Sequence, residues 1–393
     1  MIKKTIYLYL FFILLSNFSI FFIAATYTRF LENHGLDYFW MNVVNSIFYI
    51  TLFVCEIPTG AFADIFGRKT SYALSYFILS ISMFAYAASS TFTGFVVAEI
   101  IGAIGRTFAS GAFDSWLRDK LDSYDCEKNR IRKVFCYKVQ CARIAGGVSG
   151  MIGGFLAKVD PSLPWITGGA FFFAGGILVI FLLKEEYFEK KKVSFKEGVL
   201  FTRNAVKLGF RNNVIRFVVV MTLVQVPILQ APNMHWPQFF MKFVAESYLG
   251  CVFFGISAAI FAGSFLSIWF LEKMKNSEKR FLIFSQILMG AGLMLTAFCG
   301  VFLLCLPAFL LHEFARGLFA PIKDDYIHRS IPERTRERAI LSSIESMSCH
   351  LGGIIGLLSS GLIAKYLSIS TTWIIFGGFL MVATLLISRN GRK

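Results

Sequence analysis

The sequence predicts an all-α membrane protein in which twelve transmembrane helices form two six-helix halves. Three observations lead to this fold class: an apolar composition, twelve apolar runs of spanning length, and a repeat between the halves. The chain has 393 residues, of which 56% are apolar and only 16% charged, and its mean hydropathy is +0.64. Soluble domains of ordinary composition carry about 25% charged residues. The composition therefore indicates segments that are apolar on all sides, as contact with lipid requires.

The individual helices follow from the apolar runs between polar breaks. Spanning the hydrocarbon layer takes about 20 mostly apolar residues. The predicted spans are 5–28, 39–63, 71–90, 93–116, 137–158, 165–183, 214–235, 247–271, 281–300, 301–321, 339–364 and 370–388.

The longest polar interval divides these spans into two groups of six. It predicts an N-terminal six-helix bundle at residues 1–183, a cytoplasmic linker at 184–213 and a C-terminal six-helix bundle at 214–393. With the N-terminus inside, the inner segments hold 32 of the 39 Lys and Arg residues and the outer segments hold four. This bias predicts that both termini of the multi-pass protein are cytoplasmic. Because the basic residues are spread over every inner loop, the net charge of +15 does not indicate nucleic-acid binding.

The two halves resemble each other at two places. "RTFASGAFDSWL" from Arg106 and "RGLFAPIKDDYI" from Arg316 are 210 residues apart and share an arginine, an aspartate and an aromatic residue at equal spacing. "GGVSGMIGGFLAK" from Gly146 and "GGIIGLLSSGLIAK" from Gly352 are 206 residues apart. Six helices per half give the two copies the same orientation in the membrane, as in a parallel repeat. This architecture favours alternating access.

A short charged motif follows the second predicted span. "GAFADIFGRK" fits the pattern G-x-x-x-D-x-x-G-R-[KR] at Gly60, Asp64, Gly67, Arg68 and Lys69. In this loop of a twelve-span chain, the motif resembles the signature of the major facilitator superfamily. A bacterial branch of this superfamily, described as drug or small-metabolite exporters, has segments similar to "EIPTGAFADIFGRK", "SGAFDSWLRDKL" and "HEFARGLFAP". This resemblance implies a location in the bacterial inner membrane.

The resemblance implies a conformational latch on the cytoplasmic side. Asp64 is expected to meet the start of the eleventh helix, and Arg68 to pair with Asp119 at the end of the fourth. The two glycines permit close helix approach and a tight turn. The corresponding loop of the second half, "LEKMKNSEKR", lacks the pattern, so the latch is expected on one side only. The fifth span also lacks the proline of the exporter signature.

Ionisable groups inside the predicted spans are the candidates for coupling and binding, because burying them in the bilayer is costly. The proton-coupling candidates are Glu99 and Glu313, followed by Asp114. Glu313 lies three residues before Arg316, so a structural ion pair along the helix is the alternative. The candidates for lining the substrate cavity are Arg106, Gln140, Arg143, Gln225, Gln230, Asn233 and Arg316.

These features predict a secondary transporter that moves a small amphipathic compound out of the cell in exchange for protons. The alternative is a proton-coupled importer of a nutrient, siderophore or other small metabolite. An enzyme is not expected, because the sequence has no G-x-S-x-G, H-E-x-x-H or P-loop motif and no metal-ligand cluster. The expected partners are the substrate, protons and the lipid bilayer, with a monomeric protein and no cofactor or metal.

Overall fold

The computed structural model describes residues 2–390 except 125, 186–212, 274–276 and 331–335. The described part of the chain is helical, and most of its helices are of spanning length. The helices of the first half are α1 Ile2–Phe21, α2 Tyr27–Asn33, α3 Tyr38–Phe66, α4 Arg68–Ala88, α5 Phe92–Ala109, α6 Ala112–Asp122, α7 Lys128–Val159 and α8 Leu163–Leu182. The helices of the second half are α9 Asn213–Phe240, α10 Leu249–Lys273, α11 Glu278–Phe298, α12 Phe302–Ser330, α13 Arg336–Tyr366 and α14 Ile369–Asn390, with a 3-10 turn at Glu246–Tyr248 before α10.

Eleven helical stretches of the described chain are long and apolar enough to cross a membrane. They coincide with eleven of the twelve predicted spans. The remaining prediction, 137–158, lies within α7, which is long enough at 32 residues but less apolar. Its polar side chains explain the difference, since Lys138, Gln140 and Arg143 all fall within six residues.

Two of the predicted spans are interrupted. The first was expected to run to residue 28, but α1 ends at Phe21 and a turn over residues 22–26 leads into α2. The fourth is divided between α5 and α6 at Gly111, whose φ of 69° lies in the left-handed region that favours glycine. Across this break the chain continues as one apolar stretch, Phe92–Leu121.

The helices pack into two compact units. Unit 1 comprises Met1–Phe30, Ile47–Val199 and Glu246–Phe254, and unit 2 comprises Leu31–Ser46, Leu200–Ala245 and Gly255–Lys393. The boundaries of these units follow packing, so α3 and α10 each contribute to both. Most of the predicted linker, residues 186–212, lies outside the described residues. The division of the chain at 184–213 therefore stays a prediction.

Close backbone contacts fix helices within each unit. In unit 1, a Cβ added at Gly153 would lie 1.7 Å from the carbonyl oxygen of Phe22, so α7 packs directly on the turn after α1. In unit 2, a Cβ at Gly356 would lie 2.2 Å from the Pro227 carbonyl oxygen. The side-chain amide of Asn42 also donates to the Leu357 carbonyl at 2.8 Å. The glycine-rich repeats therefore serve close helix packing.

Each unit also has an ion pair at the ends of its helices. In unit 1, Arg29 Nε lies 3.1 Å from Glu246 Oε2. In unit 2, Lys365 Nζ lies 2.9 Å from Asp37 Oδ2. Burial alone would raise the pKa of Asp37, but hydrogen bonds from Lys365 and from the Trp40 amide outweigh it and hold the pKa below its ordinary value.

Candidate functional site

The charged motif folds as a tight turn between α3 and α4. Gly67 separates the two helices with φ 98° and ψ 149°, a conformation open almost only to glycine. A Cβ added there would lie 2.6 Å from Oε2 of Glu185. Gly60 differs, because a Cβ added to it would meet no described atom within 4 Å. Only one of the two motif glycines is therefore required by the local geometry.

Glu185 occupies the start of α4. Its carboxylate accepts hydrogen bonds from the backbone amides of Arg68 at 2.8 Å and Lys69 at 3.0 Å. These amides have no acceptor within the helix, and a negative charge there is stabilised by the helix dipole. Glu185 was not among the residues predicted for the site; it lies 117 positions from Arg68, within the charged run "KEEYFEKKK". No local pattern marks it as a cap.

The arginine of the motif makes the pair that the resemblance implied. The Arg68 guanidinium forms an ion pair with Asp119 at the end of α6. Asp64 is half-buried and makes no hydrogen bond or ion pair with a described residue. Its expected partner is the start of the eleventh predicted span, where the side chains of residues 336–343 lie outside the described residues. The role of these groups as a latch stays a prediction.

Glu99 lies in an aromatic part of unit 1. Glu99 is 9% exposed, and its Oε2 accepts a hydrogen bond of 2.5 Å from the hydroxyl of Tyr86. The Tyr86 ring stacks on Trp165 with centroids 4.1 Å apart, and its hydroxyl lies 3.3 Å from that of Tyr27. Glu99 has no ion pair with a described residue. The carboxyl group is therefore enclosed without a counter-charge in the described part of the chain.

Asp114 differs from Glu99 because it has a cation. The Lys138 ammonium donates to both Asp114 oxygens, at 2.8 and 2.7 Å, and the Tyr9 hydroxyl donates to Oδ1 at 2.6 Å. In the sequence, Lys138 is one of the 32 basic residues assigned to the inner segments. The available signal was the predicted span 137–158, which already includes Lys138 at its second position.

Arg106 lies seven residues after Glu99 and eight before Asp114, about two helical turns from each. Its residue is exposed, and its guanidinium makes no hydrogen bond or ion pair with a described residue. Gln140 and Arg143 on α7 are half-buried. These three cavity candidates are therefore at least partly open to their surroundings.

The polar candidates of unit 2 separate into two groups. Gln225 and Gln230 are buried, and their amides donate to Met289 Sδ at 3.8 Å and to the Val226 carbonyl at 3.2 Å. The second group is partly exposed. Arg316 Nη1 donates to Asn233 Oδ1 at 2.7 Å and lies 3.4 Å from Glu313 Oε2.

Comparison with known proteins decides the family. The family model for the Major Facilitator Superfamily matches residues 7–277 and 245–391, which together cover nearly the whole chain. The chain belongs to the Major Facilitator Superfamily. Its apolar helices are accordingly those of a multi-pass membrane transporter.

Solved structures of superfamily fold match over the full length. A mutant form of the nucleoside transporter NupG is 16% identical, with 98% of this chain and 99% of that chain covered and a TM-score of 0.77. The human organic anion transporter MFSD10 is 13% identical over 98% and 99%, with a TM-score of 0.71. The xylose transporter XylE from E. coli is 14% identical over 99% and 97%, with a TM-score of 0.73. At these identities the likeness shows the fold alone.

One curated relative matches a short segment. An uncharacterized superfamily transporter of Bacillus subtilis (strain 168), YxaM, is 30% identical over 90 residues. The match spans 22% of this chain and 22% of the relative. It agrees with the family assignment and carries no substrate information.

Proposed function

We propose that this superfamily member is a proton-coupled secondary transporter that works by alternating access and exports a small amphipathic compound. Membership makes it a transporter of small molecules; the proton, the direction and the substrate belong to the proposal. The observation that carries it is the Glu99 carboxyl group, buried beside one hydroxyl and without a cation among the described residues.

Burial makes the charge state of Glu99 depend on its surroundings. An ionised carboxylate that loses water without gaining a counter-ion is strongly disfavoured. Glu99 lies seven residues beyond the start of α5 at Phe92, which is about 11 Å along the helix axis from the outer end. A conformational change that lets water reach Glu99 favours its ionised form, and closure favours the protonated form. Such a group loads and releases a proton in step with the transport cycle.

The other two acids are weaker candidates for this role. Asp114 is held between Lys138 and Tyr9, and Glu313 lies near Arg316. A neighbouring cation stabilises the ionised carboxylate through the whole cycle. The contrast supports Glu99 as the proton carrier and a positioning role for the other two.

The direction of transport rests on the resemblance to the exporter branch. Import of a nutrient, siderophore or other metabolite is the second candidate; a nucleoside transporter and a xylose transporter are among the structures that share the fold. Proton-dependent accumulation in inside-out vesicles, but not in right-side-out vesicles, supports export. The opposite result supports import.

The test compares Glu99→Gln with Glu246→Gln, which removes a carboxylate of the same unit from the ion pair with Arg29. A deletion strain is first screened for growth and uptake with drugs, metallophores and small metabolites at two external pH values. The full chain is then reconstituted into liposomes with the compound identified. We expect Glu99→Gln to abolish flux driven by a pH gradient and to retain counterflow without a gradient, while Glu246→Gln retains both. Unchanged gradient-driven flux in Glu99→Gln would remove Glu99 from the mechanism.

A further inference from the structure

Arg316 carries a positive charge at membrane depth, and its neighbours contact only one of its guanidinium nitrogens. It lies 14 residues from the outer end of the Phe302–Asp324 span and eight from the inner end. Its side chain is 27% exposed, and Asn233, which holds it, is an exposed residue on α9. Polar side chains exposed at this depth face the interior of a bundle or a water-filled space, because lipid contact is too costly.

The guanidinium has an open edge. Both contacts of Arg316 with described side chains use Nη1, at 2.7 Å to Asn233 and 3.4 Å to Glu313. An arginine has five N–H groups, and those on Nε and Nη2 make no hydrogen bond within the described part of the chain. Nε and Nη2 form the planar fork that binds carboxylate or phosphate with two parallel hydrogen bonds.

The two neighbours hold the guanidinium from the side opposite this edge, through Nη1. Asn233 is uncharged, and the 3.4 Å to Glu313 exceeds the 2.7 to 2.9 Å of a strong charge-assisted bond. The Arg316 side chain is 27% exposed and that of Glu313 only 3%. The two contacts hold the guanidinium through Nη1 and leave Nε and Nη2 without a hydrogen bond to a described residue.

We propose that the transported substrate carries a carboxylate or phosphate group, and that Arg316 binds this group through its Nε and Nη2 edge with Asn233 as the positioning residue. The proposal rests on the proposed transport function and names the substrate class for it. Arg106 of unit 1 has the equivalent place in the sequence repeat and is also exposed. The repeat thus retains a basic residue at membrane depth in each half.

The test measures thermal stabilisation of the purified full chain by matched anionic and neutral compounds. The pairs are uridine 5′-monophosphate and uridine, glucose 6-phosphate and glucose, gluconate and glucose, and benzoate and benzyl alcohol, each at up to 10 mM. We expect at least one anionic member to stabilise the protein while its neutral parent does not. Stabilisation by neutral parents alone, or by no anion, would overturn the proposal.

Variants identify the residue responsible. Arg316→Gln should weaken binding of the stabilising anion by about 10- to 100-fold, and Arg316→Lys should restore only part of it because lysine lacks the fork. Asn233→Asp, which places a carboxylate against Nη1, should weaken anion binding by at least about 10-fold. The control is Arg280→Gln, which removes an exposed arginine at the inner end of α11 and should bind like the wild type. Equal anion binding by Arg316→Gln and the wild type would also refute the assignment.

Two further measurements complete the test. One distinguishes a soluble anion from a lipid headgroup, and the other distinguishes failure of the anion proposal from failure of the transport proposal. Repeating the measurement in nanodiscs of phosphatidylcholine alone and with phosphatidylglycerol distinguishes a soluble anion from a lipid headgroup. Stabilisation only by phosphatidylglycerol, lost in Arg316→Gln, would assign the site to lipid and overturn the substrate proposal. If the protein transports a neutral compound and Arg316→Gln leaves this flux unchanged, the proposal of an anionic substrate is refuted. The proposed transport function would still stand.

Discussion

Gly67→Ala gives the sharpest test of the turn between α3 and α4. The backbone conformation at this position costs an L-residue about 1 to 3 kcal/mol. The new Cβ would also lie 2.6 Å from the Glu185 carboxylate, which must move away from the first amides of α4. Loss of such a cap costs about 0.5 to 2 kcal/mol. We therefore expect Gly67→Ala to lower the free energy of unfolding by about 2 to 4 kcal/mol.

Gly60→Ala is the matched control within the same motif. Gly60 lies inside α3, and the space beside it is open within 4 Å among the described residues. Alanine in a helix interior is favoured over glycine by about 0.5 to 1 kcal/mol. The motif alone would treat both glycines as essential, whereas the geometry predicts that only Gly67 is.

The assay is unfolding of the purified full chain in mixed micelles with increasing dodecyl sulfate, followed by circular dichroism. Glu185→Gln separates the two parts of the effect, because it removes the charge at the helix start without straining the turn. It should cost about 0.3 to 1 kcal/mol. Wild-type stability of Gly67→Ala, or equal damage by Gly60→Ala, would refute the reasoning.

The remaining predictions concern two ion pairs. Lys138→Met leaves the half-buried Asp114 without its cation and should lower the free energy of unfolding by about 1 to 2 kcal/mol. Adding Asp114→Asn should recover part of this loss. If the double variant recovers none of it, the ion pair is not the cause. Because the folded-state pKa of Asp37 is below its unfolded value, its contact with Lys365 stabilises the fold at neutral pH and is lost only as the pH falls through the folded-state value. Asp37→Asn should therefore slightly lower thermal stability from pH 8 to about pH 4, and the difference from the wild type should vanish in more acidic buffer. A difference that peaks at acid pH would contradict this sign.

The sequence predicted the parts of the fold that depend on local composition. Runs of apolar residues identify spans because any lipid-facing helix needs them. The orientation indicated by the basic residues of the inner segments stays a prediction. The break at Gly111 has a local signal in "SGA", a small-residue turn. The break after Phe21 has none, because "FIAAT" contains neither proline nor glycine. This break packs against Gly153, which is far from the first span in the sequence and therefore leaves no local signal.

The candidate site follows the same division. Glu99 and Arg316 are noticeable in the sequence because charges inside apolar runs are rare. The partners that set their chemistry come from distant segments: Tyr86 lies on another helix, and Asn233 is 83 residues from the arginine it holds. Glu185 was missed for the same reason. A sequence indicates which groups are costly to bury, whereas packing decides which of them are compensated.

The contact between Gly153 and the Phe22 carbonyl also bears on biosynthesis. The turn after α1 is synthesised before its packing partner, which follows 131 residues later. Until α7 is inserted, the backbone of that turn lacks the close glycine contact that covers it in the folded protein. The turn after α1 therefore gains this tertiary contact only when the fifth predicted span is inserted.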